Sequence, residues 1–532
     1  MEDLYLYESG RRVYYFGRSN GDNEGVGWHV KGKMGGLWFE DVRILSSVKL
    51  LRGEKNLIPD KFINNLYYKT LNYGKTKLNF VAHPTDYFFA IYLENLEPED
   101  ELVLYLDQTP LWLENEIYSK ELKVYKKPPK TIIFRPLKHN RNISITVDNA
   151  FVHVDNGKVF FRSKMGSLLC LISMNSRNEM DFTSIVETKQ DYYSKYLSEG
   201  DNDDLKFWAQ LNALELYFER ESGKGYVAGL PEFPWWFGID TVYTALGLLK
   251  TPQLPLVKSS INNLAYYGNG IVPHEVTTAG RIYAKGRMNE VVSFAYLALR
   301  YVLETGEMDF LELIDKAVEI LIPALDRNGY PIGEGIIEIP GTEKSALLDV
   351  ACWFYKLLDE LKRESLINSL KQGKELTAIF EKIERNFFGV WRNGKNLFYD
   401  AIKGAKKHFA GHFIQIYPLA MGLVPYQEGK KVLEMMKKVG FFNEIGMIHS
   451  LPLEKYDAGN YGGQDKNSIV WSLPTLLALK AAKKYADMEL MDILIKSIKK
   501  SLHLGTRGAL PEILPNGGCT VQAWNAYLLD IF

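Results

Sequence analysis

The C-terminal stretch Gly508–Phe532, GALPEILPNGGCTVQAWNAYLLDIF, contains the patterns from which the rest of the chain can be interpreted. The step Pro511-Glu512 lies in a segment without helical periodicity, and the turn-forming run PNGG at 515–518 follows it. A helix is predicted from about Cys519 to the C-terminus, with Trp524 on one side. A loop carboxylate beside a Trp-bearing helix can activate water next to an indole that stacks on a sugar ring. The alternative is a surface glutamate before an ordinary last helix.

Upstream of this stretch, helical periodicity extends back to about residue 203. Spacings such as Leu348, Cys352, Tyr355 and Leu358 place apolar residues on one helical face. If six helical hairpins close into a barrel, alternate loops meet at one end. The Gly- and Pro-rich loops between the helices carry many Trp, Glu, Asp and His residues, which indicates a functional site at that end. The predicted helices lie near 203–221, 240–250, 254–267, 288–305, 308–326, 344–362, 368–386, 411–422, 427–439, 468–485, 487–502 and 519–531.

The first 195 residues have a different, two-residue periodicity. Short runs such as YFFAIY at 87–92 and ISITV at 143–147 alternate with turn residues such as Asn156-Gly157. Many short strands at this spacing predict an antiparallel β-sandwich. We therefore expect a β-sandwich domain over 1–195 and a helical domain over 200–532.

Composition excludes several classes of protein. The 64 Lys and Arg residues balance 65 Asp and Glu residues, which argues against a nucleic-acid or membrane-surface partner. The three cysteines are far apart and predict neither a metal site nor a disulfide framework. The N-terminus lacks the apolar core of a signal peptide, and no apolar run is long enough to span a membrane, so a cytoplasmic location is expected. Oligomeric state is left open by the sequence.

Two loop clusters upstream combine aromatic and charged residues. The motif PEFPWWFGIDTVYTALGLL contains Trp235 and Trp236 and places Asp240 at the start of a predicted helix. Asp240 either caps that helix, which is worth ~1 kcal/mol, or holds sugar hydroxyls beside a tryptophan wall. The motif GIVPHE supplies His274 and Glu275, which are either part of the same site or solvated loop residues.

A further cluster, GEGIIEIPG at 333–341, places Glu338 between two isoleucines. Apolar neighbours raise a carboxyl pKa, as a general acid near neutral pH requires. The alternative is an edge strand with Glu338 facing water. Glu338 and Glu512 would together suffice for glycoside hydrolysis, because one carboxyl protonates the leaving oxygen while the other activates water or attacks the anomeric carbon. This chemistry needs no metal or cofactor.

The order of these motifs makes the helical half resemble the amylo-α-1,6-glucosidase domain of glycogen debranching enzymes. More distantly, it is similar to glucoamylases and other (α/α)6-barrel glycosidases. The resemblance covers about residues 200–532, with a fainter match in the β half from GGLW at 35–38. It rests on PWWFGIDTVYTALGLL, GIVPHEV, YVLETGEMDFL, EGIIEI, HFIQIYPLAMGL, GGQDKNSIVWSLPTLLALKAA and LPEILPNGGCTVQAW.

The resemblance implies an N-terminal antiparallel β-sandwich followed by an all-α (α/α)6 barrel, and it implies roles for individual residues. Glu338 corresponds to the general acid, Glu512 to the general base, and Asp240 to the residue that binds the non-reducing glucose. The substrate pocket implied by the family is lined by Trp235, Trp236, His274, Glu275, Gln464, Asp465, Trp471 and Trp524.

Three departures from the family pattern bear on the substrate. The family has Trp-Gly-Arg-Asp where this chain has Phe237-Gly238-Ile239-Asp240, so a planar donor beside Asp240 is missing. Thr520-Val521 replaces a Cys-Pro, and Glu338 stands where many relatives carry Asp. The chain is also too short for the transferase barrel of bifunctional debranching enzymes, so a single activity is expected.

The expected activity is therefore an inverting, exo-acting α-glucosidase on α-glucans or oligosaccharides, in particular one that hydrolyses α-1,6-linked glucose. The alternatives are a glucoamylase- or trehalase-like hydrolase and a non-catalytic glucan-binding protein of the same fold.

Overall fold

The N-terminal part of the molecule consists of antiparallel strands. This computed structural model describes residues 5–21, 23, 25–27, 32–111, 124–127, 131–134, 142–148, 150–174, 180–200, 204–268, 271–451, 469–504 and 506–532. The strands of its first part are β1 Tyr5–Ser9, β2 Val13–Arg18, β3 Gly36–Phe39, β4 Val42–Arg52, β5 Lys55–Asn56, β6 Lys61–Asn64, β7 Lys69–Tyr73, β8 Thr76–Ala82, β9 Phe88–Glu94, β10 Asp100–Leu106, β11 Val124–Lys127, β12 Thr131–Phe134, β13 Ile143–Val147, β14 Ala150–Asp155, β15 Lys158–Ser163 and β16 Leu168–Met174.

These strands form two sheets. The first has the order β1-β2-β3-β4-β10-β15-β14, with β5 on β4, and the second has the order β11-β12-β13-β16-β9-β8-β7-β6. Alternate side chains point between the sheets, so that Val13 and Leu104 of the first share a core with Phe80 and Ile91 of the second. The predicted antiparallel β structure is confirmed.

The outer face of the first sheet is also apolar because the helical part covers it. Tyr14 and Phe16 alternate with Val13 along β2, and they belong to the same core as the helices. The rings of Tyr14 and Phe218 meet edge-to-face at 5.6 Å. A strand that is buried on both faces loses the polar alternation of an exposed sheet.

A helix follows the last strand within the region predicted to be β. It starts at Asp181, whose carboxylate accepts a hydrogen bond from the backbone N–H of Ser184 at 2.7 Å. Ile185 of this helix packs on Val81 and Phe88, so the helix covers the outer face of the second sheet.

The helical part follows, as predicted, and it contains short strands between its helices. The α-helices are α1 Phe182–Tyr196, α2 Leu205–Glu215, α3 Gly238–Leu248, α4 Leu254–Gly268, α5 Met288–Thr305, α6 Leu311–Leu321, α7 Leu348–Arg363, α8 Gly373–Trp391, α9 Tyr417–Ala420, α10 Tyr426–Val439, α11 Ser472–Lys484, α12 Met488–Ser501 and α13 Leu528–Ile531. The 3₁₀ helices are Met308–Phe310, Ile322–Ala324, Ile367–Ser369, Phe413–Ile416 and Ala523–Tyr527. The short strands are β17 Tyr217–Arg220, β18 Gly223–Tyr226, β19 Gly229–Leu230, β20 Trp236–Phe237, β21 Glu275–Val276, β22 Ile282–Ala284, β23 Ala346–Leu347, β24 Ala401–Lys403, β25 Lys406–His408 and β26 Val521–Gln522.

Two kinds of helix can be distinguished by their burial. Every residue of α3 is buried, whereas α6 buries only Ile314, Ala317, Val318 and Leu321, the single stripe of an amphipathic helix. The inner segments contact one another in the order α3, α5, α7, α9, α11 and the 3₁₀ helix Ala523–Tyr527, and that last segment contacts α3. The contacts of the inner segments therefore form a closed ring.

The predicted C-terminal helix over 519–531 is wrong at its start. Val521 and Gln522 pair with Leu230 and Gly229 as strands β26 and β19. Gln522 has the extended backbone angles φ −129° and ψ 126°, so helical geometry begins only at Ala523. This extended pairing brings Gln522 to the first turn of α3, where the candidate site lies.

Candidate active site

The first turn of α3 carries a buried carboxylate, Asp240, which is 4% exposed. The N-cap of α3 is Phe237 and no side chain caps the helix, so Asp240 is not its capping residue. Instead, Asp240 Oδ1 accepts a hydrogen bond from Gln522 Nε2 at 2.7 Å. Burial raises the pKa of Asp240 to about 7, although the nearby His274 opposes this shift.

A second carboxylate, Glu512, lies beside the start of α11 and is 2% exposed. Its Oε2 accepts a hydrogen bond from the backbone N–H of Cys519 at 2.9 Å, and its carbonyl accepts one from the N–H of Ser472 at 2.8 Å. Burial raises the pKa of Glu512 to about 8; the Cys519 N–H opposes the shift, and the carboxylates of Asp240 and Glu232 add to it. Asp240 and Glu512, predicted from separate motifs, therefore lie in one site.

The turn after Glu512 depends on a glycine. Gly518 has φ +66°, in the left-handed region. A Cβ atom at this position would lie 2.5 Å from Glu512 Oε2. The turn-forming run recognised in the sequence thus leaves the space that the carboxylate occupies.

A third buried carboxylate, Glu232, was missed by the sequence analysis. It is 1% exposed, and its charge acts on both Glu512 and Cys519. The available signal was a second Pro-Glu step, Pro231-Glu232, within the motif that supplied Asp240. Three carboxylates therefore share a region from which most water is excluded.

A histidine faces this acidic group from the next loop. His274 Nδ1 lies 2.7 Å from Glu290 Oε1, and the backbone N–H of Arg287 donates to Glu290 Oε2 at 2.7 Å. Burial alone would lower the pKa of His274, but the hydrogen bond and charge of Glu290 outweigh it and raise that pKa. The residue after His274 is Glu275, which starts strand β21, the partner of β20. Its Oε2 accepts a hydrogen bond from Trp235 Nε1 at 3.0 Å.

Indole rings form another wall next to Glu512. The rings of Trp471 and Trp524 are 6.2 Å apart, and Trp524 Nε1 donates to Ser472 Oγ at 2.8 Å. His449 meets Trp471 edge-on at 4.9 Å, and burial lowers the pKa of His449 to about 3, so its imidazole is neutral. The sequence analysis did not select His449, which lies outside every motif it used.

Trp236 lies on the opposite side of β20 from Trp235. The Arg220 guanidinium is 5.7 Å from the Trp236 ring, whereas Trp235 stacks with Phe237 at 6.0 Å. Successive strand residues point in opposite directions, so Trp235 and Trp236 do not form one wall. The structure thus separates two tryptophans that the sequence analysis had grouped.

Glu338 is exposed, which contradicts the expected desolvation of its carboxyl. Ile337 and Ile339 are buried as the alternation suggested, but the Glu338 side chain is 77% exposed and pairs with Arg287 Nη2 at 2.9 Å. The flanking isoleucines point inward and thereby turn Glu338 outward. Its loop lines a cavity of about 760 Å³ together with Arg287 and Glu334. The role of Glu338 as an acid stays a prediction.

Gln464 and Asp465 lie outside the described residues. Over the part of the chain that is described, no group of three His, Cys, Asp or Glu side chains is placed to hold a metal ion. Among the helices of these same residues, none combines the length and apolar character needed to cross a bilayer.

The fold is shared with proteins of known structure. Neither protein-family models nor curated protein sequences give a match. A bacterial glucoamylase, solved in complex with acarbose, is similar over 100% of this chain and 94% of its own, with a TM-score of 0.70 and 11% identity. A GH63 mannosylglycerate hydrolase from Thermus thermophilus is similar over 62% of this chain and 99% of its own, with a TM-score of 0.47 and 12% identity. At 11% identity the likeness to the glucoamylase shows a shared fold.

Proposed function

We propose that this protein is an inverting glycoside hydrolase with an (α/α)6 barrel, which removes glucose from the ends of α-glucans. The observation that carries the proposal is the group of buried carboxylates Asp240, Glu232 and Glu512 beside Trp471 and Trp524. Such a site disfavours an anion and stabilises positive charge. Glycoside hydrolysis passes through an oxocarbenium-like transition state, whose charge develops where these carboxylates converge.

In the proposed reaction, Glu512 deprotonates the water that attacks the anomeric carbon. Its neighbours suit this role, because the Cys519 N–H holds one carboxylate oxygen and leaves the other able to accept a proton. Glu512 must be ionised to act as a base, and its raised pKa places that ionisation near neutral or slightly alkaline pH in the free protein. Positive charge on the sugar would favour the ionised form further.

Glu338 is the proposed proton donor, and Asp240 the residue that binds terminal hydroxyls. Asp240 is suited to binding because Gln522 fixes one of its oxygens and leaves the other for the substrate. Glu338 lies at the same end of the helices as the buried carboxylates. It pairs with Arg287, the residue before α5, and the backbone N–H of Arg287 donates to Glu290 in the first turn of that helix. A bound glucan would have to cover Glu338 for proton transfer, since this side chain is exposed without substrate.

The linkage proposed is α-1,6, as in the glucosidase domain of debranching enzymes. The fold neighbour with acarbose supports an α-glucoside substrate but does not distinguish linkages. His274 takes the place of the missing family arginine in this proposal: it is a basic side chain close enough to Asp240 to act on its ionisation. A compact imidazole in place of a guanidinium would narrow the range of hydroxyls that Asp240 can bind.

Glucan binding without turnover is a second candidate, and the exposure of Glu338 favours it. Incubation of the protein with isomaltose, panose, maltose and trehalose, followed by product chromatography, separates the two. Release of glucose, seen first as the β-anomer by proton NMR, would support the inverting hydrolase. Binding of these sugars with no product would favour the second candidate, and α-glucose released first would require a retaining mechanism.

A further inference from the structure

A second cavity lies at the opposite end of the ring of inner helices. Its volume is about 470 Å³, and it is lined by every inner segment: Leu246 of α3, Tyr296 and Arg300 of α5, Trp353, Lys356 and Glu360 of α7, Ala420 of α9, the adjoining Met421, Lys480, Lys483 and Lys484 of α11, and Tyr527, Asp530 and Ile531 at the C-terminus. From Ser472 to Lys484 along α11 is about 18 Å at the helical rise per residue. The cavity is therefore remote from the carboxylate site.

Buried aromatic side chains separate the two ends of the ring. The hydroxyls of Tyr243 and Tyr417 are 2.5 Å apart, and neither residue is accessible to solvent. Tyr243 also packs on Trp353 at 5.8 Å and on Tyr527 at 5.1 Å between ring centroids. A molecule bound in the second cavity would not reach the carboxylates.

Positive charge dominates the cavity lining, with five basic side chains and two acidic ones. The acidic residues are already paired: Glu360 with Arg300 Nη1 and Lys356 Nζ, both at 3.2 Å, and Asp530 with Lys480. Lys483 Nζ donates to the carbonyl of Ile531 at 2.6 Å. Among the described residues, neither Lys483 nor Lys484 has a carboxylate within ion-pair distance, so the lining carries an uncompensated positive charge.

Helix dipoles account for only part of this charge. Lys483 and Lys484 lie in the last turn of α11, where cations offset the partial negative charge of the helix C-terminus. Arg300 and Lys356 lie well before the ends of α5 and α7, outside the turn over which that effect acts. Their convergence with the lysines of α11 is a property of the cavity.

We infer that this cavity binds a small phosphorylated metabolite, a phosphate monoester carried on a sugar or nucleoside ring. Lys483, Lys484 and Lys480 would hold the phosphate by charge-assisted hydrogen bonds. Tyr296, Trp353 and Tyr527 line the cavity, and the small exposed parts of these otherwise buried residues would contact the ring. The volume lies within the range of small-ligand pockets. This site is independent of the proposed hydrolase activity.

Calorimetric titration of the full chain at low salt tests the inference. Glucose 6-phosphate and AMP are the probes, glucose and adenosine their neutral counterparts, and inorganic phosphate the ring-free control. Whichever ester binds more tightly shows whether the cavity prefers a sugar ring or a nucleoside. We expect glucose and adenosine to bind at least about tenfold more weakly than the ester that binds more tightly, because they lack the charge-assisted contacts of the phosphate. We expect the same of inorganic phosphate, because it lacks the ring contacts. Equal binding of inorganic phosphate, or no binding of either ester, would overturn the inference.

Two double variants locate the binding site. Lys483→Gln/Lys484→Gln should weaken ester binding by about tenfold or more. Lys499→Gln/Lys500→Gln removes the same charge from the last turn of the outer helix α12 and should leave the affinity nearly unchanged. These lysines are exposed, so both variants should fold, which thermal unfolding will verify. Equal weakening in the two variants would show non-specific attraction and refute the site.

Discussion

At the scale of single residues, the carboxylates of the site affect one another's ionisation. Burial is the largest cause of the raised pKa of Glu512, and the negative charges of Asp240 and Glu232 add to it. The ionisation of Glu512 is therefore coupled to that of Asp240, and the acid limb of a pH–rate profile belongs to this pair.

Neutralising Asp240 should move this acid limb. In Asp240→Asn, Glu512 loses a repulsive neighbour, so its pKa falls and the acid limb of the kcat/KM profile moves to lower pH. Turnover should also fall by ~10², the cost of a lost hydrogen bond to a charged group. Glu232→Gln should shift the limb in the same direction. An acid limb that stays in place in both variants would show that Glu512 is not the ionising base.

The raised pKa of Glu512 should make the free protein less stable as pH rises. A group whose folded pKa is raised binds more protons folded than unfolded, so its stabilising effect is complete below the unfolded value and is lost as pH rises through the folded value of about 8. Glu512→Gln removes the ionisable group and with it this loss of stability at higher pH. Its melting temperature should exceed that of the native protein by more at pH 8 than at pH 5, measured by thermal unfolding. An equal difference at both pH values would contradict the raised pKa.

Glu338 can be tested against a neighbour in the same environment. Glu334 is 75% exposed and lies 3.9 Å from Arg287 Nε, so it matches Glu338 in exposure and in its cation partner. Glu338→Gln should reduce kcat by ~10²–10⁴, as for loss of a general acid. Glu334→Gln should leave kcat within a few-fold. If Glu334→Gln is the damaging change, the acid has been assigned to the wrong carboxyl of this loop.

At the scale of structural elements, the turn over 513–518 controls the position of Glu512. A side chain at Gly518 would meet the Glu512 carboxylate and strain a left-handed backbone. Gly518→Ala should therefore reduce turnover by ~10² or more while costing ~1–3 kcal/mol of stability.

Gly517→Ala provides the matched control for that change. Its Cβ would lie 3.3 Å from the side chain of Ile513 and away from the carboxylate. Kinetics and thermal unfolding of both variants should show a much larger loss of turnover in Gly518→Ala. Equal losses would mean that the whole turn, rather than the space at Gly518, positions Glu512.

At the scale of the whole molecule, a buried ionic cluster joins the β-sheets to the helices. Lys189 of α1 pairs with Glu8 of β1, and Lys69 Nζ lies 3.6 Å from Glu8 Oε2. Tyr193 donates to Glu215 Oε1 of α2 at 2.8 Å. Glu215 is the member of this cluster beyond the division drawn near residue 200, and it also lies 3.9 Å from Lys69 Nζ. The cluster therefore spans both parts, and we expect them to unfold together in one calorimetric transition.

Removing one member of this cluster should destabilise the whole chain. Lys189→Met leaves Glu8 buried beside fewer cations and should cost ~3–5 kcal/mol. The double variant Glu8→Gln/Lys189→Met should recover part of that loss, and the exposed Lys195→Met on the same helix should be nearly neutral. Calorimetry that shows two separate transitions, with only one affected, would mean that the two parts are independent.

Local pattern alone determined the succession of strands and helices in this protein. The two-residue and 3.6-residue periods reflect which side of an element is buried, and each is written within a few adjacent residues. The same locality explains why Asp240 and Glu512 could be selected, since each stands beside turn residues and tryptophans. It also explains why the start of the last helix was misplaced, because the pairing of Gln522 with Gly229 joins residues far apart in the chain.

Burial and proximity were decided only by the tertiary structure. Two isoleucines flank Glu338, yet they turn inward and leave its carboxyl in water, whereas Glu232, which also has apolar neighbours in Pro231 and Phe233, is itself buried. The way in which the inner helices close into a ring decides which distant residues meet. It brings together Asp240 with Gln522, Glu512 with Cys519, and the lysines of α11 with Arg300. The pKa of a side chain follows from the charges and solvent that surround it in space, and neighbours along the chain supply only some of them.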